Sequence, residues 1–452
     1  MSNRILERWA DVLSARRGPA IFSPAGECLR TWTGIEEEAS EFERRFSGTP
    51  GGVALQTGNH VSFPALVLAS LRAGKVVSLF DADIFGEARS RLEARLGVTL
   101  RVSARKGELG FDDCAEPDRK EAGTGICLYK LTSGTTALPQ TIGFTAEQLV
   151  ADCDQVCTTM GIRAGDLNYG VIAFTHSYGF SNLVTPLLCR GVPLVAADDP
   201  LPRAIEGGLA STRASVFPAV PALFRGLLSA DSLPENLRLC ISAGAVLDPV
   251  LGREFHGKFG RKIHAFYGAS ECGGICYDGS EEINESHGFV GLPLQGVAVE
   301  IPDGTEPAKI LIRSLAVASS ATNVNGGFQP ADLLVRDCGG FRIVGRESDL
   351  INVAGRKVNP VEIEQVIALF PGVLESAVCG AEDPARGQEI FALVAARNTP
   401  DAVLLRRHCA AHLSSWKVPR RFRFVSEIPR NARGKISRAE IAGANLSEPP
   451  GG

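Results

Sequence analysis

A strand-helix-strand unit recurs in the first third of this chain, and no other sequence feature restricts the fold as tightly. Gly52-Val-Ala-Leu-Gln-Thr57 reads as a strand, Ser62 to Ala73 as an apolar helix, and Val76 to Phe80 as a second strand. The second strand reads as buried, and strands joined through a helix run parallel. The pattern returns around residue 130, where a strand from Ile126 to Leu131 leads through a loop rich in Gly and Thr into a helix. That helix opens at Thr145-Ala-Glu-Gln148, whose Thr and Gln have the spacing of a capping box. Further short apolar segments lie at Tyr169 to Phe174, Pro193 to Ala196, Ala214 to Phe217, Leu237 to Ile241 and Lys262 to Phe266, alternating with helical stretches. The predicted class is α/β with a mostly parallel sheet.

At 452 residues the chain exceeds the roughly 250–300 residues at which single cores stop growing, so at least two domains are expected. From about Val290 the rhythm changes to β segments rich in Gly and Pro, as in a smaller β subdomain. Gly345-Arg346-Glu347-Ser348-Asp349 then introduces a region with its own pattern. It holds a helix capped by Asn359, with Pro360 in the first turn and Glu362 three residues after the cap. Ile363, Val366, Ile367 and Phe370 form its apolar face, and Pro371-Gly372 stops it. The expected architecture is a large N-terminal α/β domain with a β subdomain, residues 1–346, and a small C-terminal α+β domain, residues 347–452.

Lys plus Arg number 47 against 51 Asp plus Glu, a formal net charge of -4 that supplies no electrostatic case for nucleic acid or an anionic membrane. Any phosphate must be held locally. The opening MSNRILERWADVLSARRG is too charged for a secretory signal, and the apolar stretch from Phe63 to Phe80 is broken by Arg72 and Lys75, so no membrane span and a cytoplasmic location are expected. The 12 cysteines are scattered, often inside apolar segments such as Ile126-Cys127-Leu128 and Leu239-Cys240-Ile241, and read as buried thiols. Cys153 with Cys157, and Cys272 with Cys276, lack the two-residue spacing of zinc or redox pairs.

Four segments carry chemistry. Leu131-Thr-Ser-Gly-Thr-Thr-Ala-Leu-Pro-Gln140 follows a strand and combines small residues, which let backbone N–H groups approach an anion, with four hydroxyls able to bond phosphate oxygens. It lacks the Gly-Lys-Ser/Thr of a Walker loop. Ala265-Phe-Tyr-Gly-Ala-Ser-Glu271 offers an aromatic face, a Gly turn, a hydroxyl and a carboxylate able to hold Mg²⁺. Ser242-Ala-Gly-Ala245 follows another strand, and Ile428-Pro-Arg-Asn-Ala-Arg-Gly-Lys435-Ile-Ser-Arg438 lies near the C-terminus. Each alone also suits an ordinary turn or solvated surface; the combination is what carries meaning.

Taken in order, TSGTTALPQ, THSYGF, SAGA, FYGASE, the Ala331-Asp332 pair, GRESDLINVAGRKVNPVEIE and PRNARGKISR resemble the adenylate-forming superfamily of acyl-CoA synthetases, peptide-synthetase adenylation domains and luciferases. The resemblance runs from about residue 50 to residue 441 and is strongest to acyl-CoA synthetases. It implies that the C-terminal domain is mobile, with its hinge at Ser348, and turns between two half-reactions. It also implies ATP, Mg²⁺ and either CoA or the phosphopantetheine of a carrier protein as cofactors and partners of a small carboxylic acid. Thr132, Ser133, Gly134, Thr135 and Thr136 would cradle the ATP phosphates. Gly244, Ala245, Phe266 and Tyr267 would bind adenine, and Asp332 and Arg346 the ribose. Ser270 would contact the α-phosphate, Glu271 the metal, and Lys435 the carboxylate and α-phosphate oxygens. His176, Ala243 and Gly268 would line the acyl pocket, and Gly355 with Arg356 would pass the pantetheine arm of CoA. For His176 a packed position in a turn is the alternative.

Departures from the family pattern fall at defined places. Gln140 stands where a Lys is usual, removing a cation that would meet the β- and γ-phosphates. Ala137 replaces a common Gly, Ser270 a common Thr, and Ser348 a common Asp or Lys. Asn352 stands where many members carry a Lys that assists the second half-reaction. No Asp lies near Ala173-Phe-Thr-His176 in the sequence to meet an α-amino group, so a fatty or aryl acid is expected. The alternatives are a stand-alone enzyme that loads a carrier protein, and a nucleotide-binding member with impaired turnover.

Overall fold

The computed structural model describes residues 3–114, 125–132, 139–302, 306–337, 339–353, 355–383, 387–396, 398–430, 436, 438 and 441–442. The chain divides into two compact units, one of residues 1–300, 311–329 and 337–342, the other of residues 301–310, 330–336 and 343–452.

The first unit holds two sheets with the parallel pairing that the strand-helix-strand pattern requires. Gly52–Gln56, Val77–Leu79 and Leu128–Thr132 run parallel, Val53 opposite Val77 and Val77 opposite Leu128. The helix between the first two, Phe63–Arg72, is buried from Phe63 to Leu71 and so packs on all sides. In the other sheet, Pro19–Phe22, Leu194–Ala196, Asn168–Gly170, Val216–Ala219, Leu239–Ser242 and Ile263–Ala269 are successive parallel neighbours. Gly273–Tyr277 and Phe289–Pro293 extend it antiparallel. A core of interleaved rings lies against it, with Phe217 at 5.9 Å from Tyr169 and 5.3 Å from Phe224, and Phe224 at 5.5 Å from Phe255.

The second unit carries a five-stranded sheet, built from Arg356–Val358, Ile351–Val353, Gly387–Ala396, Val373–Asp383 and Arg421–Val425. Helix Pro360–Ala368 buries Ile363 and Ile367 with Val378, Ile390, Leu405 and Cys409. Its predicted cap is present, Asn359 accepting the Val361 N–H at 3.1 Å. Glu362, three residues after that cap, instead receives Lys417 at 2.6 and 2.8 Å.

At the helix Ala146–Met160 both halves of the capping box form, Thr145 accepting the Gln148 N–H at 3.4 Å and Gln148 accepting the Thr145 N–H at 2.9 Å. Several strands differ in their bounds from expectation. The segment predicted from Tyr169 to Phe174 is a strand only over Asn168–Gly170, because Asn59 bonds the Gly170 and Ala197 carbonyls and accepts the Phe174 N–H at 2.8 Å, bending the chain away. The strand predicted at Ala214 to Phe217 begins at Val216 and reaches Ala219. Eight of the described cysteines are buried, Cys28 is exposed, and Cys114 and Cys127 are half-buried. Burial pushes the Cys240 thiol up to about 12. Among the described residues no helix is long and apolar enough to cross a membrane.

Candidate functional site

Because Asn168–Gly170, Val216–Ala219, Leu239–Ser242 and Ile263–Ala269 are adjacent and parallel, the chain leaves all four at the same sheet edge. Crevices at the carboxyl ends of such strands are where open α/β sheets bind ligands. The segments emerging there are the THSYGF, SAGA and FYGASE segments of the sequence.

Side chains join these segments. Ser177 donates its hydroxyl to Ser270 Oγ at 3.0 Å. Tyr178 donates to the Ile241 carbonyl at 3.1 Å, and its ring lies 5.9 Å from that of Phe266. Burial pushes the Tyr178 hydroxyl well above its ordinary range, so it stays a donor. His176 caps the short helix Ser177–Gly179, its Nδ1 accepting the Tyr178 N–H at 3.2 Å. Thus His176, Ala243, Phe266 and Tyr267, expected around the acyl pocket and adenine, sit on connected elements, and the Nδ1 of His176 is engaged as a helix cap. Thr175 donates to Asp81 at 3.0 Å, so the fold brings to this segment a carboxylate that is remote in sequence.

Gly244 has φ +83°, the left-handed region that favours glycine, as the chain turns off its strand before Ala245. A Cβ on Gly268 would lie 2.7 Å from the Gly273 carbonyl, so the Ala269-Ser270-Glu271 turn closes only with glycine there. The Glu271 carbonyl accepts the Ala318 N–H at 2.9 Å. Ser270 and Glu271 are half-buried and adjacent in sequence; a carboxylate is a hard oxygen donor that would suit Mg²⁺, and a hydroxyl can donate to phosphate. The adjacent Cys272 thiol is pushed well up by burial and by the Glu271 charge, which keeps it protonated. Thr132 ends its strand opposite Gln140, which is exposed. Ser133, Gly134, Thr135 and Thr136 lie outside the described residues, as do Ala137 and Lys435.

In the second unit Arg346 Nε donates to Asp332 Oδ1 at 2.7 Å, which joins the two residues expected at the ribose. The Glu347 N–H bonds the Ala331 carbonyl at 2.8 Å and holds the two segments in register. Ser348, in the turn Glu347–Asp349, donates to Asp349 at 3.1 Å. Arg438 pairs with Asp349 at 2.9 Å and with both oxygens of Glu364 at 2.8 and 2.9 Å, tethering the chain three residues beyond Lys435. Gly355 is exposed with φ +84°, and the Arg356 guanidinium lies 5.5 Å from the centre of the Trp416 ring.

A buried polar cluster was not anticipated. Lys130 Nζ donates to Ser181 Oγ at 3.2 Å, Ser181 donates to Asp152 Oδ2 at 2.5 Å, and Asp152 Oδ1 accepts the Gly274 N–H at 2.9 Å. Burial pushes the Lys130 ammonium below its ordinary range while Asp152 pulls it back up. The signals were in the sequence: a Lys inside the apolar strand Leu128–Thr132, and an Asp among Leu149, Cys153 and Val156 on the inner face of a helix.

The two-unit α/β architecture and the matching family models define the adenylate-forming class of enzymes. A family model described as AMP-binding enzyme matches residues 47–319, and one described as AMP-binding enzyme C-terminal domain matches residues 362–435. The chain belongs to the AMP-binding enzyme family. It is 29% identical to the sulfoacetate–CoA ligase of Cupriavidus necator over 388 residues, covering 79% of this chain and 76% of that protein. It is 27% identical to the benzoate–CoA ligase of Thauera aromatica over 435 residues, covering 90% and 79%. Among solved structures, ATP-bound MatB from Rhodopseudomonas palustris superposes with a TM-score of 0.85 at 21% identity, covering 99% of each chain. The fold is therefore that of this class.

Proposed function

We propose that the protein is an AMP-forming acid-thiol ligase that activates a non-amino carboxylic acid, fatty or aryl, and transfers the acyl group to CoA. The substrate carboxylate attacks the α-phosphorus of ATP, the bond to the β-phosphate oxygen breaks, and pyrophosphate leaves. The thiol of CoA, losing its proton, then attacks the acyl carbonyl, the bond to AMP breaks, and AMP leaves. The observation that carries this reading is the meeting of Ser177, Ser270, Glu271 and the Ser242–Ala245 turn at one edge of the parallel sheet.

In this reading Tyr267, Phe266, Gly244 and Ala245 hold adenine, while Asp332 and Arg346 hold the ribose. The hydroxyls of Thr132 to Thr136 and Ser270 bond the phosphates. Glu271 would hold Mg²⁺, which neutralises charge on the phosphates when bound. Two anions repel each other, so Lys435 bridges the carboxylate and the α-phosphate. His176, Ala243 and Gly268 shape the acyl pocket. Residues 347–452 turn about Ser348 for the thiol step, in which Gly355 and Arg356 receive the pantetheine arm.

Gln140 and Asn352 favour one second reading, a nucleotide-binding member with impaired turnover. A carrier-protein acceptor presents the same thiol and is separated by trial. The test is AMP release with ATP and Mg²⁺ over fatty, aryl, hydroxy and amino acids, with CoA or a carrier protein, beside Lys435→Ala. Amino acids belong in the panel because Asp81 meets Thr175. AMP release with one acid class and CoA, lost in Lys435→Ala, supports the ligase. ATP binding without AMP release for any acid supports the second reading.

A further inference from the structure

We propose that Lys130, Ser181 and Asp152 are positioning residues that set the Ser270-Glu271 turn for adenylation, an inference that rests on the function proposed for that turn. The turn is held from two sides by one helical run. Ser177, at its start, bonds Ser270 at 3.0 Å. Ser181, one turn on and inside a π-helical stretch Phe180–Val184, bonds Asp152, and Asp152 bonds the backbone of Gly274 just past the turn. Gly273 has φ +69°, and a Cβ there would strike the Asp152 carboxylate, so the turn's backbone lies directly on that group.

The cluster also includes the strand that leads to Thr132. Lys130 lies two residues before Thr132 on the strand that enters the loop, and Asp152 lies on the helix that follows the returning strand. Lys130, Asp152 and Ser181 are 1%, 3% and 5% exposed. The ammonium stands over Phe144 at 4.8 Å and Phe180 at 5.7 Å. Apolar residues would pack in this space without the cost of desolvating two charges. What the charged cluster adds is directional hydrogen bonding that admits one arrangement of the loop strand and the turn. A shift of about 1 Å in reacting groups costs about a hundredfold in rate, so such a clamp acts on turnover without touching substrate.

The experiment measures AMP release against ATP, acid and free Mg²⁺, with melting temperature, for the wild type, Ser181→Ala, Asp152→Asn and Glu271→Gln. Ser181→Ala and Asp152→Asn are expected to stay folded at the assay temperature and to lower kcat about tenfold to a hundredfold. They should raise half-saturating Mg²⁺ severalfold and leave KM for the acid unchanged. If Asp152→Asn does not fold, Ser181→Ala decides. Wild-type kcat and Mg²⁺ half-saturation in Ser181→Ala, with Glu271→Gln inactive, overturn the inference. So does a lowered melting temperature with wild-type Mg²⁺ half-saturation, which marks a scaffold and nothing more. Wild-type AMP release by Glu271→Gln overturns the reading of the turn itself.

Discussion

The Ser177 hydroxyl donates to Ser270 Oγ at 3.0 Å, and this bond joins two segments 93 residues apart. Removing one neutral hydrogen bond costs about 1 kcal/mol, or roughly fivefold. Ser177→Ala should therefore lower kcat for AMP release about fivefold with its melting temperature nearly unchanged. An unaltered kcat would show that Ser270 needs no such partner.

Arg346 and Asp332 form one unit, with Asp332 buried and the arginine exposed. If they hold the ribose, Asp332→Ala removes a charged acceptor and should raise KM for ATP about tenfold to a hundredfold. It should also narrow the preference for ATP over 3′-deoxy-ATP. Steady-state kinetics with both nucleotides check this, and an unchanged preference argues against a ribose role.

Gln140 begins its strand opposite Thr132 and is exposed. Gln140→Lys should lower KM for ATP about twofold to fivefold, the size expected for a cation meeting phosphate in solvent. The gain should fade as salt is raised. A KM that does not fall would place the side chain away from the triphosphate.

Asn352, expected where many members carry a Lys, lies opposite Lys357 across a hairpin, and directly opposed residues share a face. We expect Lys357 to supply the cation for the thiol step. Lys357→Ala should slow thioester formation from pre-formed acyl-AMP while AMP formation in the first half-reaction stays at the wild-type rate. Equal losses in both half-reactions would discount that role.

Burial pushes the Asp166 carboxyl up, but hydrogen bonds from Arg238, from the Arg163 N–H and from Ser215 outweigh it and hold it below the usual carboxylate range. A depressed carboxyl contributes stability above its unfolded pKa of about 4 and loses it as pH falls through the folded value. Arg238→Met should cost about 2 kcal/mol near neutral pH by removing the guanidinium and leaving the carboxylate only the Arg163 N–H and Ser215. The mutant's stability should then depend less on pH below about 4 than the wild type's. Urea unfolding across pH measures both.

Local patterns made much of this protein legible in its sequence. A mostly apolar run from Val76 to Phe80 announced the buried strand at Val77–Leu79, Thr145 and Gln148 announced a helix start, and Asn359 announced another. Such features depend on neighbours within one turn or one strand, so a linear reading finds them. The motif order likewise carried the class of enzyme, since TSGTTALPQ, FYGASE and the segment after Gly345 are contiguous. What only the tertiary structure decided depends on contacts between distant segments. Asn59 bonds the Gly170 carbonyl where the strand Asn168–Gly170 ends and accepts the Phe174 N–H beyond it, Asp81 reached Thr175, and Ser177 found Ser270. Lys130, Ser181 and Asp152 look like three unrelated polar residues until the sheet, the helix and the π-turn bring them together. Burial then decides the matter, because a charge withdrawn from water must find its partner in space, and the sequence distance to that partner is unconstrained.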